Sequence, residues 1–210
     1  MAEIQNIIFD FGNVLFQLDL SATERRFRQQ LGPQFEAARE KWLAADVFHR
    51  YETGALTTEA FVEAVRCAPE PPLGKSEVLE AWNAIFIGMP AEYFDLLERL
   101  RAHYRVFLLS NINDLHARWI DRYMEDVHQR GNFRERYFDR VYYSHEVGLR
   151  KPDQRIYAHV LQDAELRPEQ TVFIDDLEVN VRAAEALGLR GIVKTPEVDT
   201  AQLMQSFLPH

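Results

Sequence analysis

Five short apolar runs, four of them ended abruptly by polar side chains, constrain this chain more than any other feature of its sequence. Ile7-Ile8-Phe9 stops at Asp10, and Val106-Phe107-Leu108-Leu109 stops at Ser110-Asn111. Val141-Tyr142-Tyr143 stops at Ser144, Val172-Phe173-Ile174 stops at Asp175-Asp176, and Gly191-Ile192-Val193 closes the series. Runs this short, apolar at successive positions and rich in Val, Ile and Phe, predict parallel strands buried between helices. Helical spacing fills the gaps. Pro90 to Leu100 sets Tyr93, Leu96, Leu97 and Leu100 on one side behind a proline near the first turn. Pro152 to Leu161 does the same with Ile156, Tyr157, Val160 and Leu161, and Leu177 to Leu187 stops at Gly188. Strand alternating with helix predicts a doubly wound α/β sheet.

The first two runs are the exception, because about 70 residues without an evident strand separate them. That segment reads as helical. Ser21 precedes one helix, Gln34 to Ala45 suggests a second, Thr57-Thr58-Glu59 opens a third, and Ser76 starts a fourth running through Trp82 and Phe86. Pro71-Pro72-Leu73-Gly74 is a turn between the last two. The expected organisation is a Rossmann-like parallel core of residues 1–16 and 89–210, with helices on both faces and a helical-bundle cap of 17–88 inserted after the first strand. Trp42, Trp82 and Phe86, at helical spacings, are read as cap core rather than as a substrate platform.

Composition narrows the partners. The 210 residues suit one α/β core with an inserted subdomain, and 47% hydrophobic with 27% charged residues is an ordinary globular mixture. A net charge of -9 and the lack of any Lys/Arg cluster speak against a nucleic-acid partner, whose backbone needs a basic face. Cys67 is the only cysteine, so no intrachain disulfide forms and a reducing compartment fits. The first apolar run is broken by Asp10 and Asn13, which predicts neither a signal peptide nor a membrane span. The cytoplasm is the expected location.

Polar residues at the carboxyl ends of parallel strands converge on one crevice, where open α/β sheets bind ligands. Here the pieces are Phe9-Asp10-Phe11-Gly12-Asn13-Val14, Leu109-Ser110-Asn111, Arg150-Lys151-Pro152-Asp153 and Phe173-Ile174-Asp175-Asp176. In kind and order they resemble the motifs of the haloacid dehalogenase (HAD) superfamily, and the resemblance covers nearly the whole chain. The inserted helices are similar to that family's cap. Phe48-His49-Arg50-Tyr51-Glu52-Thr53-Gly54 resembles the caps of bacterial sugar-phosphate phosphatases, glucose-1-phosphate phosphatases among them.

The resemblance implies a magnesium-dependent phosphatase acting on a small phosphorylated metabolite, with Asp10 as the nucleophile that forms an aspartyl-phosphate. Two anions approach each other only with a cation between them, and Mg²⁺ prefers oxygen ligands. The family pattern sets Asp10, the carbonyl of Gly12 and one acid of the Asp175-Asp176 pair on the metal, Asp176 directly and Asp175 behind it. Ser110, Asn111 and Lys151 would hold the phosphate oxygens, with Lys151 countering developing charge. Arg150 is read as a bystander. The departure is Gly12, since most phosphatases of the family carry there an aspartate that protonates the leaving oxygen. His49 is one candidate replacement and Asp19 another. Two rival readings remain: a dehalogenase using the same aspartate, which would need no metal, and a non-catalytic phosphate-binding protein.

Overall fold

In the computed structural model, which describes residues 2–208, the first apolar run forms β1 (Asn6–Phe9). A two-residue strand, β2 (Gln17–Leu18), follows. Next come α1 (Ala22–Leu31), α2 (Phe35–Ala44), α3 (Val47–Glu52), α4 (Thr58–Arg66) and α5 (Lys75–Asn83). The chain returns through β3 (Phe86–Gly88), antiparallel to β2. It continues as α6 (Glu92–Arg101), β4 (Arg105–Ser110), α7 (Asp114–Asp126), α8 (Phe133–Tyr137) and β5 (Arg140–Tyr143). The remainder is α9 (Ser144–Val147), α10 (Gln154–Asp163), β6 (Thr171–Asp175), α11 (Glu178–Glu185), β7 (Arg190–Val193) and α12 (Thr200–Leu203).

The long strands form one parallel sheet in the order β5-β4-β1-β6-β7, the doubly wound arrangement the alternation predicts. Side chains alternate across it. Ile7 and Phe9, with Val106, Leu108, Val172 and Ile174, bury on the face covered by α6, α7 and α8. Ile8, Phe107, Leu109 and Phe173 bury on the other, against Ile156, Tyr157 and Val160 of α10 and Ala184 of α11. Each such side chain contributes about 1.5–3 kcal/mol, so a central strand with both faces covered is strongly held. The inserted helices surround a cluster of their own, with Phe27, Trp42, Tyr51, Phe61, Val65 and Trp82 at its centre.

Two features of the insertion differ from the sequence reading. The segment 47–52 is a separate helix, too short at six residues to show a hydrophobic period and entered through Asp46 in the left-handed conformation. Phe86 lies not on the fourth expected helix but on β3: α5 ends at Asn83, and the Ile85 carbonyl then accepts the Asp19 N–H at 2.8 Å, which draws the chain into the ribbon. Thr57 caps α4 through the N–H of Ala60, whereas Ser21 leaves α1 uncapped and bonds Asp19 instead. No helix among the described residues is long and apolar enough to cross a membrane.

Candidate active site

Register brings the acids together. Phe9 pairs with Leu108 on one side and Ile174 on the other, so Asp10 leaves β1 level with Leu109 and Asp175, and its N–H donates to the Ile174 carbonyl at 2.8 Å. The chain reverses its winding between β1 and β6, which is where an open sheet parts to make a crevice. A cleft of about 390 Å³ opens there, between the strand ends and the inserted helices, and Asp10, Gly12, Ser110, Asn111, Lys151 and Asp176 all line it. Its size suits a small molecule. A larger hollow of about 590 Å³, near Glu3, His103 and Arg190, lies at the opposite ends of the strands and gathers none of these groups.

Lys151 is the centre of charge. It is 1% exposed, and its Nζ donates to Asp10 Oδ1 and Asp175 Oδ2, each at 2.6 Å, and to the Leu109 carbonyl at 2.9 Å. Burial alone would lower its pKa, but the charges of Asp10 and Asp175 outweigh burial and hold it above the ordinary value. Burial pushes Asp10 up to about 7, against the pull of Lys151 and with added repulsion from Asp175. Asp176 is also raised, by burial first. One ammonium thus bonds two of three crowded carboxylates. Asp10, Asp175 and Asp176 each offer an oxygen within 4.8 Å of the others, so a divalent cation fits this donor set and relieves its repulsion.

The adjacent acids divide as successive strand residues should. Asp175 is fully buried and saturated: Oδ1 accepts from Leu177 N and Asn180 Nδ2, both at 2.9 Å, and Oδ2 from Lys151. Asp176 faces the cleft with one protein donor, Asn13 Nδ2 at 3.3 Å. The Asn111 side chain clamps the Lys151 loop: Oδ1 accepts the Lys151 N–H at 2.8 Å and Nδ2 donates to the Lys151 carbonyl at 2.9 Å. Ser144, at the end of β5, braces the same region through the Ile112 backbone rather than entering the site.

Of the two candidates for the missing acid, neither lines the cleft. His49 is half exposed and bonded to Asp46, and Asp19 is held well below the usual carboxylate range by Arg25 and Ser21. Arg150, read as a bystander, does line it, and so do Glu52, Trp82 and Phe86 from the inserted segment. Trp82 and Phe86 are therefore both packing groups and cleft wall. His116 lines the cleft as well, but Nδ1 faces Asn113 Nδ2 at 3.2 Å and Nε2 faces the Trp82 carbonyl at 3.1 Å. That pairing fixes the neutral Nε2–H tautomer, and burial pushes its pKa down to about 4.

Asn13 and Asn180, whose side chains bond the acidic pair, were given no role by the sequence reading. Asn13 sits in the left-handed region (φ 54), which asparagine tolerates, and there its side chain bridges Asp176 and the Leu18 N–H. The Asn180 signal was its place in the first turn of the helix after the acidic pair.

Residues 4–188 match the family model of haloacid dehalogenase-like hydrolases, and the chain belongs to that family. It is 27% identical over 185 residues to a D-ribitol-5-phosphate phosphatase of Bacteroides thetaiotaomicron, covering 88% of this chain and 89% of that protein. The crystal structure of a HAD-family enzyme from the same organism, in complex with magnesium and inorganic phosphate, superposes with a TM-score of 0.86 at 31% identity, over 96% of this chain and 100% of that one. A predicted HAD-like hydrolase of Porphyromonas gingivalis superposes with a TM-score of 0.85 at 29% identity, over the full length of both.

Proposed function

We propose that this protein is a magnesium-dependent phosphomonoesterase that transfers the phosphoryl group of a small phosphorylated sugar or polyol to Asp10 and then to water. The observation that carries the reading is the convergence of three carboxylates at the switch point of the sheet, two of them bonded to one buried lysine. The sugar-alcohol phosphatase that is similar over most of the chain, and the neighbour crystallised with magnesium and phosphate, support the same chemistry.

In this reading an Asp10 carboxylate oxygen attacks phosphorus, the bond from phosphorus to the ester oxygen breaks, and that oxygen leaves with the electron pair. Water then attacks the acyl phosphate, releasing inorganic phosphate and the free carboxylate. Asp10, Asp176 and the Gly12 carbonyl would hold the metal, which when bound neutralises the meeting anions. Asp175, saturated by Lys151, Leu177 and Asn180, keeps Lys151 aimed at Asp10. Ser110 and the backbone N–H of Asn111 would hold phosphate oxygens. Gly12 brings no proton, so the leaving oxygen takes one from solvent or from another group. The division into a core of 1–16 and 89–210 and a cap of 17–88 is supported by the separate apolar cluster of the inserted helices. The free, exposed thiol of Cys67 supports a reducing, cytoplasmic setting. A metal-free dehalogenase is disfavoured, because an anionic haloacid would enter a site already crowded with carboxylates.

Hydrolysis of nitrophenyl phosphate with magnesium, with and without excess chelator, tests the reading. Turnover is expected to vanish in chelator and in Asp10→Asn. Lys151→Ala should lose both turnover and inhibition by vanadate or beryllium fluoride with magnesium. Full activity in chelator, or substantial turnover by Asp10→Asn, refutes the mechanism.

A further inference from the structure

Glu52 ends α3, and Arg150 stands in the loop before α10, so the two reach the same cleft from cap and core. Arg150 Nη1 lies 2.9 Å from Glu52 Oε2. None of its N–H groups points along that line, and among the described residues the buried Oε2 has no hydrogen-bond donor. An ion pair without an aligned hydrogen bond fixes the buried oxygen only in part, so the backbone around it must help to hold its position. Gly54 shows what maintains it. It adopts φ +70, and a Cβ there would lie 2.3 Å from the His145 carbonyl oxygen, so only glycine lets this turn press against α9. Thr53 Oγ1 closes the turn on the His49 carbonyl at 2.9 Å. Glu52 is therefore docked in the cleft wall rather than swinging in solvent. Burial keeps its carboxyl above the ordinary value, while Arg150 and His49 pull it down.

Resting on the phosphatase reading above, we propose that Glu52, buttressed by Arg150, determines specificity by accepting a hydrogen bond from a hydroxyl on the organic part of the substrate. The charge balance selects that class of ligand. With Arg150 beside it, the carboxylate is already compensated, so the pair attracts neither an ammonium nor a second anion strongly, and a neutral donor suits it best. Trp82, Phe86 and Leu18 supply apolar wall in the same cleft, against which the C–H bonds of a carbon chain can lie. Together these features fit the phosphate ester of a short polyhydroxylated chain.

The test compares kcat/KM for ribitol 5-phosphate, n-pentyl phosphate and nitrophenyl phosphate, all with magnesium. The native protein should prefer the pentitol ester to the pentyl ester by at least about 100-fold, since a site built around a hydroxyl rejects the analogue lacking it. Glu52→Ala should shrink that preference by roughly 10- to 100-fold, the range of a hydrogen bond to a charged group, with Glu52→Gln between the two. Arg150→Ala should shrink it less. The native comparison does not depend on how any variant folds, and native-like thermal melting qualifies each variant. An equal loss on all three substrates, or a native protein indifferent to the hydroxyls, overturns the proposal. Either result leaves the phosphatase reading standing while magnesium-dependent nitrophenyl phosphate turnover persists in the native protein.

Discussion

Leu18 occupies the space that a side chain at position 12 would need: a Cβ on Gly12 would come within 2.7 Å of Leu18 Cδ1. The obstacle is the far end of a flexible side chain, so an acid at 12 is admitted once that leucine turns aside. In the native protein, turnover should therefore fall steeply as the leaving group becomes more basic, because no acid stands at this position. Gly12→Asp should flatten that slope, and Gly12→Asp with Leu18→Ala should flatten it further. The expected gain on alkyl phosphates is at least about 10-fold, the lower side of what general acid catalysis supplies. The check is the slope of log kcat against leaving-group pKa. A flat slope in the native protein with chemistry rate-limiting would show that another residue already donates the proton. The Asp10 and Asp176 positions were legible in the sequence because each directly follows its strand, and Lys151 because its motif resembles that of the family. The true course of Asn111 was not, since only the folded loop shows its amide engaged with the Lys151 backbone.

Among the elements, α3, α4 and α7 are joined by a chain of hydrogen bonds. The Tyr51 hydroxyl accepts the Leu115 N–H at 3.0 Å and donates to Thr58 Oγ1 at 2.9 Å, which in turn donates to Asp114 Oδ2 at 2.6 Å. Leu115 lies in the first turn of α7, where backbone N–H groups have no partner within the helix. Tyr51→Phe removes that acceptor. The expected cost is about 1–2 kcal/mol, a drop of roughly 2–8 °C in Tm for a chain of this size, together with a raised KM as the cap opens more often. Thermal melting and steady-state kinetics check both, and an unchanged Tm would mean that water replaces the hydroxyl without loss. The long core helices were readable from spacing alone. The ribbon of β2 and β3 and the short helix α3 were not, because elements of two, three and six residues are too brief to display a period.

Across the whole molecule, His116 of α7 lies half-buried against the inserted helices, stacked on Trp82 with ring centroids 5.0 Å apart. Its pKa is about 4 when folded, against 6.5 for the unperturbed side chain. Between those values the unfolded chain binds a proton that the folded one refuses, so stability is full above pH 6.5 and falls as the pH drops toward 4. The loss attributable to this histidine is about 3 kcal/mol across that window. His116→Gln should be less sensitive to acid, with a smaller fall in Tm between pH 7.5 and pH 5 than the native protein shows; an equal fall in both would assign the acid sensitivity elsewhere. The parallel core and its strand-end residues Asp10, Ser110, Asp175 and Asp176 were determined by the sequence itself. Buried strands leave short apolar runs, and parallel register then forces their last residues into one crevice. Only the tertiary structure decided that Glu52 and Arg150 meet across the cleft, that Leu18 stands beside Gly12 and that Asn180 secures Asp175. The physical reason differs from case to case. Glu52 and Arg150 lie far apart in the chain and meet only because the turn at Gly54 docks on α9, while Leu18 is placed by a ribbon whose strands are separated by all five inserted helices. Such juxtapositions follow from long-range packing, which leaves no periodic trace in any local stretch of sequence.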